Sequence, residues 1–226
     1  QSVGTGTMFY WMGKYYFAYG FHTSRNIPDE HLFGGEIYRR YVETGYTEAV
    51  SYDEIASCGK YPNGANLAVS DDGIHFHMMD EMFHWAENPS VYTKTDGKLF
   101  MCVGDGIWEA ETPQGKWRLT NPGFPPCGAR SVMRNSAECP SFFEKNGYRY
   151  ILMGLTGFWR TEKDSDVYFD SAALGYDIYD GLLVPMAVNC GGRLILAGWL
   201  NGIGWGSVIV HRELIQHEDG SLGMCW

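Results

Sequence analysis

The 226-residue sequence is poor in charge, lacks any Cys-x-x-Cys pair and contains no long apolar run. Charged residues make up only 19% of it, and the acidic ones predominate, giving a net charge of −10 at pH 7. Because phosphate binding needs clustered Lys and Arg, this balance argues against a nucleic-acid partner. No stretch approaches the roughly 20 apolar residues that a membrane helix needs, so we predict no membrane partner either.

The six cysteines are widely spaced, which argues against a zinc site. Three histidines, His75, His77 and His84, lie close together in sequence, but no acidic residue accompanies them at ligand spacing. We therefore predict no metal site and no cofactor. Disulfide formation stays open, and so does the compartment, with a secreted or periplasmic location allowed.

Glycine and aromatic residues are abundant, and they recur in one phrase that the chain repeats four times. Each copy is an apolar or aromatic run, a turn ending in Gly, and a second such run that closes on Gly. The turn glycines are Gly13, Gly97, Gly147 and Gly192, so the steps are 84, 50 and 45 residues. A period of about 45–50 residues built from strand pairs is typical of β-propeller blades. The sequence therefore predicts an all-β chain with four visible blades.

The blades are expected at approximately 1–85, 86–130, 131–178 and 179–226, within a single propeller domain. The first contains an insertion, residues 21–63, which is polar and weakly periodic; we predict a loop over the propeller face with at most one short helical turn within 28–41. The third carries a smaller acidic insertion, 160–181. Because nothing in the sequence seals a four-bladed ring, we expect either a longer parent protein or completion by something else, such as self-association.

Carboxylates stand where the innermost strands of successive blades begin. Glu87-Asn88-Pro89-Ser90 aligns with Glu138-Cys139-Pro140-Ser141, and Asp180 precedes the corresponding strand of the fourth blade. In a propeller such positions converge on the central axis. Paired carboxylates are what glycoside hydrolysis requires, one as acid and the other as nucleophile or base. The alternative is that Glu87 and Glu138 only cap strand ends, and the repeat leaves both interpretations open.

Residues 136–143 (SAECPSFF) resemble the Glu-Cys-Pro box of glycoside hydrolase family 32 and of its five-bladed relatives in families 43 and 68. Residues 192–214 are similar to the closing blade of that family, with its Gly-Trp and Arg-Glu-Leu signatures. Residues 67–89 resemble the second blade running into the Arg-Asp-Pro box of the third. Together these segments imply a five-bladed glycosidase propeller.

The resemblance also implies roles for individual residues. Glu138 matches the general acid/base of the family. Asn88 stands where the family has an Asp that holds sugar hydroxyls, and Glu87 stands where it has Arg. The Asn-Asp-Pro-Asn-Gly box that carries the nucleophile is absent, so the chain resembles the family from its second blade onward. This implies that the nucleophile lies outside the chain, or that the chain binds without hydrolysing.

Two tryptophans, Trp159 and Trp199, are candidates for stacking on sugar rings. Core packing is the alternative for each, and Trp199 is favoured because it matches the Gly-Trp signature of the family. His22 and His31, beside or within the insertion, are expected at the surface. The resemblance thus implies a hydrolase of fructoside- or arabinoside-type furanosides or related glycans, with an oligosaccharide or polysaccharide substrate. The alternative is a propeller that binds carbohydrate or protein without catalysis.

Overall fold

A computed structural model describes residues 2–23, 26–103, 106–122, 139–152, 158–170, 182–200 and 208–225. Within these residues the chain forms four antiparallel sheets and two α-helices. It divides into two compact units, Gln1–Pro122 and Gly123–Trp226, each of which contains two sheets. Among the described residues, neither α-helix combines the length and the hydrophobicity that spanning a membrane requires.

The first unit contains two five-stranded sheets. Strands of the first follow the order β1-β2-β5-β6-β4, and those of the second the order β3-β10-β9-β8-β7. The bounds are β1 Ser2–Trp11, β2 Lys14–His22, β3 Thr47–Glu48, β4 Val50–Ser51, β5 Gly64–Ser70, β6 His77–His84, β7 Ser90–Thr93, β8 Leu99–Val103, β9 Gly106–Ala110 and β10 Gly115–Pro122.

The second unit contains two four-stranded meanders, in which each strand pairs with the next along the chain. The bounds are β11 Ser141–Lys145, β12 Tyr148–Leu152, β13 Phe158–Thr161, β14 Tyr168–Asp170, β15 Leu182–Cys190, β16 Arg193–Leu200, β17 Ile209–Gln216 and β18 Leu222–Cys225. Strand β14 falls inside the segment 160–181, which the sequence predicted as an insertion. That segment therefore supplies one strand of the third sheet.

The repeated phrase forms the first hairpin of each sheet. Its turn glycines Gly13, Gly97, Gly147 and Gly192 have φ between 83° and 85°, a left-handed conformation that costs glycine little. The hairpins are β1–β2, β7–β8, β11–β12 and β15–β16, all antiparallel. The sequence prediction of these hairpins is confirmed, because the turn residues fix the register locally.

Within each unit the first strands of neighbouring sheets lie side by side, and one hydroxyl links each pair. The backbone N–H of Val91 in β7 donates to Oγ1 of Thr7 in β1 at 2.8 Å. In the second unit the N–H of Ala187 in β15 donates to Oγ of Ser141 in β11 at 3.0 Å. Thr7 and Ser141 both lie four residues before the last paired residue of their strand, so the same link recurs in both units.

Apolar faces of the paired sheets make the cores. In the first unit the core includes Phe9, Leu67, Met101, Trp108 and Trp117. In the second it includes Phe143, Tyr150, Phe158, Leu194 and Leu214. These side chains come from alternating positions of strands, the pattern of sheets that pack face to face.

The insertion is a correction to the sequence prediction, because it is structured and reaches the outer strands. It holds a 3-10 turn, Asp29–His31, and two helices, α1 Phe33–Thr44 and α2 Tyr52–Ser57. Its two-residue strands β3 and β4 pair with the outer strands β10 and β6, so the insertion adds one strand to each sheet of the first unit. Phe33, Ile37 and Ile55 pack with Met82 of β6 to bury its apolar side.

The sequence prediction missed helix α1 because few of its residues are apolar. Only Phe33, Gly34 and Ile37 are buried in α1, an i, i+4 pair beside a glycine, while most of its other residues are polar. The helix ends at Gly45, whose φ of 77° suits a left-handed C-terminal residue and whose N–H donates to Tyr41 O at 2.7 Å. Tertiary packing against β6 therefore decides this helix more than its own periodicity.

Candidate functional site

A cluster of polar side chains lies where β6 leads into β7, at the end of the first sheet opposite its hairpin turn. Glu87 and Asn88 belong to the segment between these strands. The start of β1 and the end of β2 lie beside them, since Ser2 pairs with His22 and Val3 with Phe21. The cluster contains Glu87, Asn88 and His22, a carboxylate, an amide and an imidazole.

Glu87 and His22 form a direct ion-pair contact. Oε2 of Glu87 meets Nε2 of His22, and the two side chains are 49% and 34% exposed. Both groups therefore reach solvent while remaining in contact. The sequence analysis expected His22 at the surface and named no partner for it, because β2 and the β6–β7 segment are far apart along the chain.

Two glycines make room for Asn88. A Cβ on Gly4 of β1 would lie 2.9 Å from Asn88 Oδ1 and 3.3 Å from His22 Nε2. A Cβ on Gly20 of β2 would lie 3.1 Å from the backbone N of Asn88 and 3.2 Å from Cβ of Glu87. Sequence reasoning missed both residues, although a glycine inside a strand is a signal of close backbone approach.

The backbone at Asn88 is unusual, and it recurs. Asn88, Cys139 and Val184 have φ of 56°, 47° and 48°, and each directly precedes a proline. Left-handed φ is rare for residues other than glycine and is strained for a β-branched residue such as Val184. Such strain is concentrated at functional sites, where surrounding structure maintains it.

This recurrence bears on the alignment of the two glutamates. Cys139 and Val184 each lie six positions before the last paired residue of their strand. Asn88 likewise lies six positions before Lys94, which directly follows β7 and whose N–H donates to Lys98 O. Glu87 directly precedes Asn88, and Glu138 directly precedes Cys139, so the two carboxylates hold the same place in the repeat. Glu138 itself lies outside the described residues, and so does Asp180.

Aromatic packing supports the segment that carries Glu87. His84 stacks on Trp85 with ring centroids 4.0 Å apart, and Tyr41 of α1 stacks on Trp85 at 5.0 Å. His84 Nδ1 accepts a hydrogen bond from the N–H of Ala86 at 3.1 Å. Complete burial disfavours the charged imidazole and lowers the pKa of His84 to about 3. His84 is therefore uncharged, and it belongs to the aromatic packing that supports the segment carrying Glu87.

The two candidate tryptophans occupy different environments. Trp159 is only 1% exposed in β13, opposite Ile151 and Asp170, so it has no face open to a sugar. This is the packing alternative of the sequence analysis. Trp199 is half-buried in β16, where it pairs with Leu183, next to the left-handed Val184. Its role in sugar binding stays a prediction.

The three histidines that lie close together in sequence have separate environments. His75 bonds Asp72 at 2.7 Å in an exposed turn, His77 is exposed in β6 and His84 is buried. In the part of the chain that the structure describes, no three His, Cys, Asp or Glu side chains come together as a metal ion would require. Of the cysteines there, Cys58, Cys190 and Cys225 are exposed free thiols.

Comparison with known proteins identifies the fold. No protein-family model and no curated protein sequence matches the chain. Solved structures do match. A xylan β-1,4-xylosidase from Bacillus halodurans C-125 aligns with 98% of this chain and 43% of its own, at 14% identity and a TM-score of 0.59.

Two further solved structures are of enzymes whose names refer to other sugars. An exo-1,5-α-L-arabinanase from a bovine ruminal metagenomic library aligns with 99% of this chain and 97% of its own, at 15% identity and a TM-score of 0.52. A family 32 β-fructofuranosidase from Bombyx mori aligns with 99% of this chain and 61% of its own, at 15% identity and a TM-score of 0.51. This chain spans less than half the length of the xylosidase.

These similarities confirm the β-propeller fold class and the resemblance to glycosidase propellers that the sequence predicted. Each four-stranded or five-stranded sheet of the chain is a blade. Identities of 14–15% establish the fold alone. Function therefore has to be argued from the site.

Proposed function

We propose that this chain is the propeller of a glycoside hydrolase that acts on fructoside- or arabinoside-type furanosides or related glycans. The observation that carries the proposal is the left-handed backbone that Asn88 and Cys139 share, each directly before a proline, which gives Glu87 and Glu138 the same place in the repeat. The fold shared with enzymes named for xylan, arabinan and fructoside cleavage supports it.

In this proposal Glu138 is the general acid/base. Protonated, it donates to the glycosidic oxygen as the bond breaks; ionised, it activates the water that completes the reaction. Glu87 and Asn88 bind sugar hydroxyls, with Asp180 and Trp199 as further contacts. Trp159 does not take part, because its ring is buried. The nucleophile comes from outside these 226 residues.

Exposed apolar faces on the first and last sheets support a further blade or a second copy of the chain. Met8 and Tyr10 of β1 and Met12 of the following turn are 57%, 54% and 74% exposed. On the last sheet Val188, Ile209 and Ile215 are 58%, 67% and 46% exposed. In contrast, the faces that pack within each unit are buried. Open apolar faces of this kind favour association.

Replacement of Glu138 by Gln tests the enzymatic proposal. Loss of a positioned general acid/base typically lowers the rate by 10²–10⁴-fold, so we expect kcat on arabino- or fructo-oligosaccharides to fall by about that factor. Glu144→Gln is the matched control. Glu144 belongs to the strand that follows Glu138, and its carboxylate pairs with Arg149 at 2.8 Å. An unchanged rate in Glu138→Gln would contradict the assignment.

One observation favours a second function, the binding of glycans without hydrolysis. Asn88 places an uncharged amide where the resemblance implies an Asp, so it can hydrogen-bond a hydroxyl but cannot offset positive charge in the transition state. Calorimetric titration with the same oligosaccharides separates the two. Binding by the native chain without product release would support the binding protein, and the absence of both would contradict both proposals.

A further inference from the structure

We infer that His22 is a positioning residue for Glu87, holding its carboxylate in place for a sugar hydroxyl; this inference rests on the proposed function. The contact joins Nε2 of His22 to Oε2 of Glu87. Two strands and a connecting segment bring the residues together, since His22 ends β2 and Glu87 follows β6.

The imidazole is the fixed partner of this pair. His22 is the last residue of β2, and its register with Ser2 of β1 places it at the end of the first sheet. Glu87 lies outside any strand, and among the described residues His22 is its only ion-pair partner. The strand therefore supplies the rigid element, and the carboxylate on the connecting segment is restrained by it.

The contact leaves one carboxylate oxygen for a ligand. With Nε2–H donating to Oε2, Oε1 of Glu87 can still accept from a sugar hydroxyl. Asn88 adds an amide beside it, because Gly4 and Gly20 leave no Cβ in that space. A charge-assisted hydrogen bond of this kind is directional and stronger than a neutral one. Glu87 thus supplies a carboxylate next to Asn88, whose own amide carries no charge.

The arrangement differs from an ordinary surface ion pair in its surroundings. Exposed pairs on this chain, such as Lys14 with Asp71, have side chains 51% and 86% exposed and lie on a hairpin and a turn. The His22–Glu87 pair instead lies beside Gly4 of β1 and Gly20 of β2, and Asn88, the residue after Glu87, has left-handed φ. Close backbone approach on one side and strain on the other both favour a site kept for function.

Two variants of His22 test this role. His22→Leu removes the donor, whereas His22→Gln retains an N–H close to the position of Nε2. We expect His22→Leu to lower kcat/KM, or affinity where the chain only binds, by about 10–100-fold, since a displacement of about 1 Å can cost 10²-fold. His22→Gln is expected to recover most of that loss. His77→Leu, an exposed histidine of β6, is the control and should match the native chain.

A double-mutant cycle distinguishes positioning from stability. If His22 acts through Glu87, His22→Leu has little further effect in a Glu87→Gln background. An NMR spectrum of the imidazole nitrogens gives a second readout, because Glu87→Gln should shift the Nε2 resonance of His22. A native rate in His22→Leu, additive losses in the double variant, or an unmoved Nε2 resonance would each overturn the inference while leaving the role of Glu138 intact. If the native chain neither binds nor hydrolyses any furanoside, the proposed function fails and the inference falls with it.

Discussion

Thr7 and Ser141 link the first strands of neighbouring sheets in the two units, and removing either hydroxyl is expected to destabilise its own unit. Thr7 Oγ1 accepts from the N–H of Val91 at 2.8 Å, and Ser141 Oγ accepts from the N–H of Ala187 at 3.0 Å. Thr7→Val keeps the shape of the side chain but leaves the Val91 N–H without this acceptor. Ser141→Ala does the same to Ala187.

The magnitude follows from the partner left behind. A buried donor without an acceptor costs about 1–3 kcal/mol, and because Thr7 is only half-buried we expect the lower part of that range, about 1–2 kcal/mol. For a chain of this size that corresponds to a fall in Tm of about 2–8 °C. Thr93→Val is the control. Its hydroxyl donates to Tyr10 O at an exposed position, so its loss should cost less than about 0.5 kcal/mol.

Urea unfolding measures the free energies, and hydrogen exchange read by mass spectrometry locates them. Thr7→Val should raise exchange mainly within Gln1–Pro122, and Ser141→Ala mainly within Gly123–Trp226. If Thr7→Val were no more destabilising than Thr93→Val, the hydroxyl link would not stabilise the sheet pair. Exchange that rose equally in both units after either change would refute the assignment of each link to its own unit.

Two further predictions concern Gly20, which lies against Asn88, and the buried His84. Gly20→Ala places a Cβ 3.1 Å from the backbone N of Asn88, so it should lower furanoside affinity or kcat/KM by about tenfold or more. Gly35→Ala in α1, where a Cβ meets open space, is the control and should leave affinity and kcat/KM unchanged. If the two variants behaved alike, the close approach of Gly20 to Asn88 would be contradicted. His84 has a pKa of about 3 when folded against about 6.5 when unfolded, so between these values the unfolded chain binds more protons and stability falls as the pH falls. From pH 7 to pH 5 the loss from this residue is about 2 kcal/mol. Urea unfolding at the two pH values should show a smaller loss in His84→Asn, and an equal loss in both proteins would mean that another group carries the dependence.

The local features of this chain were predictable because neighbouring residues determine them. The turn glycines and the alternating runs around them define the four hairpins. The left-handed φ of a turn glycine such as Gly13 or Gly147 is a local property, and the turn it forms sets the pairing register of the two strands beside it. The Glu-x-Pro-Ser spacing likewise aligns Glu87 with Glu138 from the sequence alone. The all-β propeller class follows from the same repeat.

Contacts between distant segments were decided only by the tertiary structure. His22 meets Glu87 because β2 and the β6–β7 segment come together at one end of the first sheet, and Gly4 and Gly20 matter only once Asn88 is packed against them. The insertion, predicted as a loop, divides its two short strands between β6 and β10. Trp159 is buried by the sheet in which it lies. Sequence patterns encode which residues alternate and turn, but the partner of a side chain from another strand depends on how whole sheets pack.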